Sequence, residues 1–262
     1  MTMSGPFLEL TGVEKGFGAH GVLRGLDLRV ERGAVLTILG GSGSGKSVLL
    51  KHMIGLLRPD RGQIAIEGRD TEAFTESDWI SVRKRIGYVF QGAALFDSMT
   101  VFENIAYPLR EHGRGTEEHV ARRVAECLEA VGLPGVEAQL PAALSGGMRK
   151  RVGVARAIAL QPEAILYDEP TTGLDPANSR RIGQLIRDLQ SRLEVTSVVV
   201  THDPVLCRMV SDEVALLERG RLTAQGAASE LEGDQLPAIR GFLEGGALDW
   251  SHTSAERGEG AV

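Results

Sequence analysis

One stretch constrains this chain more than any other. Residues 40–47 read Gly-Gly-Ser-Gly-Ser-Gly-Lys-Ser, which puts Gly40, Gly45, Lys46 and Ser47 at the fixed positions of the pattern G-x-x-x-x-G-K-[ST]. Residues 34–39 before it are apolar and rich in strand formers, and residues 48–54 after it are apolar at helical spacing. Such a loop, set between a buried strand and a helix, turns successive backbone N–H groups toward one anion, and the start of the helix adds its positive end. The pattern therefore predicts that Gly40, Gly41, Ser42, Gly43, Ser44, Gly45, Lys46, Ser47 and Val48 cradle the phosphates of a nucleoside triphosphate. Lys46 is expected to reach the β- and γ-phosphates, and the Ser47 hydroxyl to ligate Mg²⁺. The loop by itself does not say what the nucleotide is used for.

Further groups answer part of that. Residues 164–167 form a second buried apolar run, closed by Asp168 and Glu169. Adjacent carboxylates at a strand tip can divide the work: Asp168 holds Mg²⁺, and Glu169 orients and polarises an attacking water. The apolar run 195–201 delivers His202, which lies near the γ-phosphate if its strand is parallel to the first two. Gln91 closes the strand expected over 86–90, where its amide can reach Mg²⁺ or the water. Phe17, upstream of the phosphate loop, can stack on adenine, since every base offers a π-face. Ser145, Gly146 and Gly147 stand at the start of a helix over 149–160, which makes a second anion cradle. One chain needs one phosphate loop per nucleotide, so the second cradle is expected to serve a nucleotide held by another copy. Asp175, in the tight loop 172–176, is placed to touch a neighbouring subunit or loop.

The rest of the chain fills in the frame. Residues 7–13, 22–30 and 63–67 alternate apolar and polar, which predicts an antiparallel β element beside the nucleotide strand. A short helix over 75–85 ends in Arg83, Lys84 and Arg85, read as a solvated basic face. Thr100 and Glu103 have the spacing of a capping box. Leu95, Phe96, Phe102 and Tyr107 are too apolar for one short surface segment: they pack a local helical core or line a groove for a partner helix. Residues 117–131 and 178–193 read as amphipathic helices, with Gly132 a fitting C-cap, and 212–226 as a terminal hairpin. From residue 233 the composition shifts; 236–245 is a short amphipathic piece, and 251–262 is expected to be disordered. The net charge of −6 argues against a nucleic-acid partner, which calls for a basic face. Cys127 and Cys207 lack metal-ligand spacing and read as buried free thiols. No apolar run reaches the ~18 residues of a membrane span, and the N-terminus lacks signal-peptide character.

Taken together, and in their order, these motifs resemble the nucleotide-binding subunit of an ATP-binding-cassette (ABC) transporter, over residues 7–231. In that family Leu144–Met148 corresponds to the signature motif, Asp175 to the loop that crosses a dimer, and Phe17 to the adenine-stacking aromatic. The resemblance implies an α/β fold: a P-loop NTPase (RecA-like) core with β subdomain over 1–92 and 159–232, an inserted α-helical subdomain over 93–158, and a C-terminal extension over 233–262 that contacts the partner subunit. It implies a homodimer binding ATP and Mg²⁺ head to tail and driving an integral-membrane permease from the cytoplasmic face of the inner membrane. Two positions depart from the common pattern. Met148 replaces a glutamine, so its support of the serine is expected to differ, and Phe17 replaces a tyrosine. Residues 90–96, 101–112, 144–148 and 238–245 are most similar to the ATPase of Mla/Mce-type phospholipid transporters. That likeness implies a STAS-domain regulatory subunit and a periplasmic Mce-type lipid-binding protein as further partners. An ATPase of an importer for another solute, and a soluble ABC protein acting on nucleic acid or ribosomes, are the competing expectations.

Overall fold

Residues of β3 (Val35–Leu39) are buried on both faces, and this strand is the axis of the molecule. The computed structural model describes residues 5–113, 115–232 and 235–245. Before β3 come β1 (Leu8–Phe17) and β2 (His20–Val30); after it come α1 (Lys46–Met53), β4 (Arg61–Ile66), β5 (Arg69–Asp70), α2 (Glu76–Arg83) and β6 (Ile86–Val89). Then follow α3 (Val101–Glu111), α4 (Glu117–Ala130), α5 (Gly146–Ile158), β7 (Ala164–Asp168), α6 (Pro176–Leu193), β8 (Thr196–Thr201), α7 (Pro204–Val210), β9 (Glu213–Glu218), β10 (Arg221–Ala227) and α8 (Pro237–Gly245). Two sheets result. One is antiparallel with order β2-β1-β4-β5; the other has order β10-β9-β3-β8-β7-β6 and is parallel except for β10. This is the α/β architecture expected from the motifs.

The pleat sorts the core. Val35, Ile165, Tyr167 and Val199 face α3 to α6, while Leu36, Ile38, Leu166, Val198 and Val200 face α1 and the antiparallel sheet. Parallel strands covered on both faces must be apolar throughout, which is why these runs lack polar alternation. Their parallel register also brings the C-terminal ends of β3, β7 and β8 to one edge: Leu39 pairs with Thr201, and Asp168 with Val200. The phosphate loop, the acidic pair and His202 all emerge there.

Between β6 and β7 the chain leaves the sheet and returns. On this excursion Val101, Ile105 and Leu109 of α3, Val120, Val124 and Leu128 of α4, and Val152 and Ala155 of α5 bury against one another. The capping box is present: the Thr100 hydroxyl accepts from the Glu103 N–H at 3.2 Å, and the Glu103 carboxylate accepts from the Thr100 N–H at 2.7 Å. Of the four aromatic and apolar residues noted above, Leu95 and Phe102 pack against the core, whereas Phe96 and Tyr107 form an exposed pair with ring centroids 5.1 Å apart.

Some local expectations are corrected. β1 runs on to Phe17, because Gly16 and Phe17 pair with Gly21 and His20 of β2. The strand expected over 63–67 starts two residues earlier, since Arg61 already pairs with Glu14. The basic cluster is not a solvated face. Arg83 donates to the carbonyls of Ile54 and Gly55 at 3.0 and 3.1 Å, and Arg85 binds Glu67 at 2.7 Å and Glu163 at 2.6 Å. The amphipathic piece expected over 236–245 is α8, which seats Ile239 and Leu243 with Leu39, Val214 and Leu216. Trp250 and the expected disordered stretch 251–262 lie outside the described residues. Cys127 and Cys207 are both buried and free. Among the described residues no helix is long and apolar enough to cross a membrane.

Candidate nucleotide site

The loop between β3 and α1 is shaped by close approach. A Cβ on Gly40 would lie 2.5 Å from the Leu217 carbonyl oxygen and 2.6 Å from Ser44 Oγ, so no side chain fits there. Gly45 precedes α1 with φ 109, a conformation that L residues rarely adopt, and no side chain caps the helix. The first amides of α1 are therefore left to an external acceptor. Ser44 Oγ is buried and has no hydrogen-bond partner, a donor orphaned inside the cradle. Gly41 and Val48 are half-buried, and Ser42 and Gly43 are exposed at the mouth. Lys46 folds back over the loop: its buried ammonium donates to the carbonyls of Gly40 at 2.7 Å and Gly41 at 3.0 Å, and lies 3.2 Å from Glu169 Oε1.

Asp168 and Glu169 face different partners. Ser47 Oγ donates to Asp168 Oδ1 at 2.9 Å, and the Tyr88 hydroxyl donates to Oδ2 at 3.1 Å. Burial, and then the Asp168 charge, push the Tyr88 hydroxyl up from its ordinary pKa, so it remains a donor. Glu169 sits just past β7 with φ 48, a sparsely populated backbone state for a residue with a side chain. Its Oε1 faces Lys46; its Oε2 lies 2.9 Å from His202 Nδ1 and accepts from Thr172 Oγ1 at 3.3 Å. His202 extends from the end of β8 with about half its side chain exposed. Gln91 follows β6; its side chain is exposed, and its backbone carbonyl accepts from Lys150 Nζ. Phe17 ends β1 with its ring exposed and the Lys15 ammonium 5.7 Å from its centroid.

The remaining predicted residues form a second group. Ser145 caps α5 by accepting from the Met148 N–H at 3.3 Å. The cap uses the backbone N–H of residue 148, while the methionine side chain packs against the core. Gly147 lies against Asn178, where a Cβ would be 2.9 Å from Oδ1, and the Asn178 amide donates to Asp175 at 2.5 Å. Asp175 caps α6 through the N–H groups of Ala177 and Asn178, and those bonds, Asn178 first, hold its carboxyl below the usual range. Among the described residues no hydrogen bond joins Ser145, Gly146, Gly147 or Asp175 to the phosphate loop. These residues form a group of their own at the starts of α5 and α6.

A divalent cation fits the first group. Ser47 Oγ and Asp168 offer hard oxygen donors, and among the described residues no cluster of three or more His, Cys, Asp or Glu could hold a metal unaided. A cation here would complete its shell with phosphate oxygens and water, as Mg²⁺ does. Sequence reasoning missed Tyr88, Thr172 and Lys150. Only Lys150 carried a signal: it falls three residues after Gly147 and four before Val154, on the buried side of α5.

The model of the ABC transporter family matches residues 23–172. The chain is 40% identical over 258 residues to the protein of Mycobacterium leprae named "Probable ribonucleotide transport ATP-binding protein mkl", covering 98% of this chain and 74% of that one. It is 41% identical over 228 residues to the "Intermembrane phospholipid transport system ATP-binding protein MlaF" of Escherichia coli, covering 87% and 85%. Among solved structures, the post-hydrolysis dimer of the ATP-binding cassette MJ0796 bound to ADP and Pi superposes with a TM-score of 0.78 at 32% identity, over 84% of this chain and 98% of that one.

Proposed function

This chain belongs to the ABC transporter family and is an ATPase of its ATP-binding-subunit class, and from that premise we propose that its hydrolysis of ATP drives phospholipids through a membrane permease. The observation that carries the hydrolytic reading is the Glu169 carboxylate, held between Lys46 and His202 at the edge where β3, β7 and β8 end. In this reading Lys46 leaves the carbonyls of Gly40 and Gly41 for the β- and γ-phosphates, which supply a better anion. Glu169 then orients and polarises the attacking water, His202 fixes the carboxylate and contacts the γ-phosphate, and Gln91 approaches the water from the end of β6. Ser47 and Asp168, with Gln91 joining, would hold Mg²⁺, which neutralises charge on the transferring phosphoryl group. Phe17 stacks on the adenine.

Ser145, Gly146, Gly147 and Asp175 act on the nucleotide of the second copy in a head-to-tail homodimer. What supports that division is their grouping at two adjacent helix starts, where Ser145 caps α5, Asp175 caps α6 and Gly147 lies against Asn178. The cassette comprises the core over 1–92 and 159–232 and the helical subdomain over 93–158; it works at the cytoplasmic face of the inner membrane. The likeness to MlaF supports phospholipid as the cargo and, with it, a STAS-domain subunit and a periplasmic Mce-type protein as partners. The likeness to the mkl protein supports a second reading, transport of another solute.

The deciding experiment is to tag the chain, solubilise native membranes in mild detergent, purify the complex and identify its proteins and bound lipid. Co-purification of a permease with a STAS-domain protein, a Mce-type protein and phospholipid is the expected result. A permease with a soluble receptor for another solute would retain the ATPase and replace the cargo.

A further inference from the structure

α5 does more than present its N-terminus. The side of it that carries Lys150, Gly153 and Arg156 lies against the loop that follows β6. Lys150 Nζ donates to the Gln91 carbonyl and, at 3.3 Å, to the Glu169 carbonyl. Gly153 lets the loop pack on the helix itself: a Cβ there would be 3.2 Å from Ala93 Cβ. Arg156 forks onto the carbonyls of Ala93 at 2.9 Å and Ala94 at 2.8 Å. Ala93 and Ala94 have φ 62 and 48, left-handed states that alanine holds only when its surroundings impose them. Loop and helix are thus stapled together at three successive points.

Lys150 is the staple nearest the chemistry. It is 7% exposed, and among the described residues no carboxylate lies within ion-pair distance of its ammonium. Burial pushes its pKa down, opposed by the charges of Glu169 and Asp168. An ammonium has three donors, so it can satisfy two carbonyls on separate strand ends at once. It also stands five residues beyond Ser145 on one rigid helix, about 7.5 Å along the axis.

We propose that Lys150 is a positioning residue for hydrolysis, tying the backbones of Gln91 and Glu169 to the helix whose start receives the partner's nucleotide. Gln91 and Glu169 then reach their working positions only when α5 is in place. This rests on the reading of Glu169 and Gln91 as hydrolytic groups.

The test compares the full-length chain with Lys150→Met, Lys150→Gln and Lys150→Arg. For each, kcat and KM for Mg²⁺-ATP, the Kd of ATP without turnover, and the Tm are measured. The expected result for Lys150→Met is a kcat lower by about tenfold or more with Kd within about twofold, and partial recovery of kcat in the Arg and Gln variants, which keep donors. A kcat unchanged in Lys150→Met overturns the inference. So does a loss in which kcat and Tm fall and Kd rises together in all three variants, because that is a folding effect. Glu169→Gln is run alongside. If it retains turnover, the hydrolytic reading itself fails; if it is inactive while Lys150→Met is not, the inference about Lys150 fails alone.

Discussion

His202 Nδ1 lies 2.9 Å from Glu169 Oε2, across the ends of two neighbouring parallel strands. The other carboxylate oxygen is 3.2 Å from the Lys46 ammonium. One carboxylate thus joins the phosphate loop to the tip of β8. A group held at both oxygens has one orientation available to it, which is what positioning a water requires.

Replacing Glu169 by glutamine keeps this shape and removes the base. Turnover is expected to fall by roughly 10²- to 10⁴-fold while the Kd of ATP stays within about twofold. Single-turnover hydrolysis and equilibrium binding on the same preparation check both halves. Turnover near the wild-type rate would remove Glu169 from its role.

Lys46→Met is expected to act on binding. A charge-assisted hydrogen bond contributes about 1.5–3 kcal/mol, so the Kd of ATP should rise by roughly ten- to a hundredfold. Titration calorimetry measures it, and an unchanged Kd would reject the phosphate role of the lysine.

Phe17 separates base from phosphate. Phe17→Ala should weaken ATP several-fold, about 1 kcal/mol or more for a lost stacking partner, and leave inorganic tripolyphosphate unaffected. Equal loss for both ligands would mean that the ring supports the loop and does not meet the base.

Glu67 provides a pH test. Hydrogen bonds from Arg85, and then Arg32, hold its carboxyl at about 2 against an ordinary value of 4.5. A depressed acid contributes stability that is complete above its unfolded pKa and is lost as pH falls through the folded value. Glu67→Gln should therefore lower Tm by a few degrees (~2–4 °C) at pH 7. The gap to wild type should narrow as pH drops from 4.5 toward 2. Arg85 is over a third exposed, so solvent keeps the effect modest. A gap that is constant with pH would show packing, not charge, at work.

Ile239 tests the seat of α8. Its side chain is fully buried against Val214 and Leu216, and Ile239→Ala should cost about 2–5 kcal/mol on denaturant unfolding. A loss under about 0.5 kcal/mol, the range of surface substitutions, would mean that the helix is loosely held.

Much of this was legible in the chain itself. The glycines, lysine and serine of residues 40–47, the apolar runs around them and the carboxylate pair after 164–167 specify local chemistry, because strand and helix periodicity and turn geometry are set by near neighbours. Thr100 with Glu103 declared a helix start in the same way. What only the tertiary structure decided lies in contacts between strand ends. The parallel register of β3, β8 and β7 puts Lys46, Glu169 and His202 within reach of one another, and that register is a long-range property. Tyr88 on Asp168 and Arg85 between two glutamates were illegible for the same reason, and the spacing of Lys150 told of its burial but not of its two carbonyl partners. A polar side chain bound for the interior looks like one bound for water until the partner that satisfies it is brought beside it by the fold.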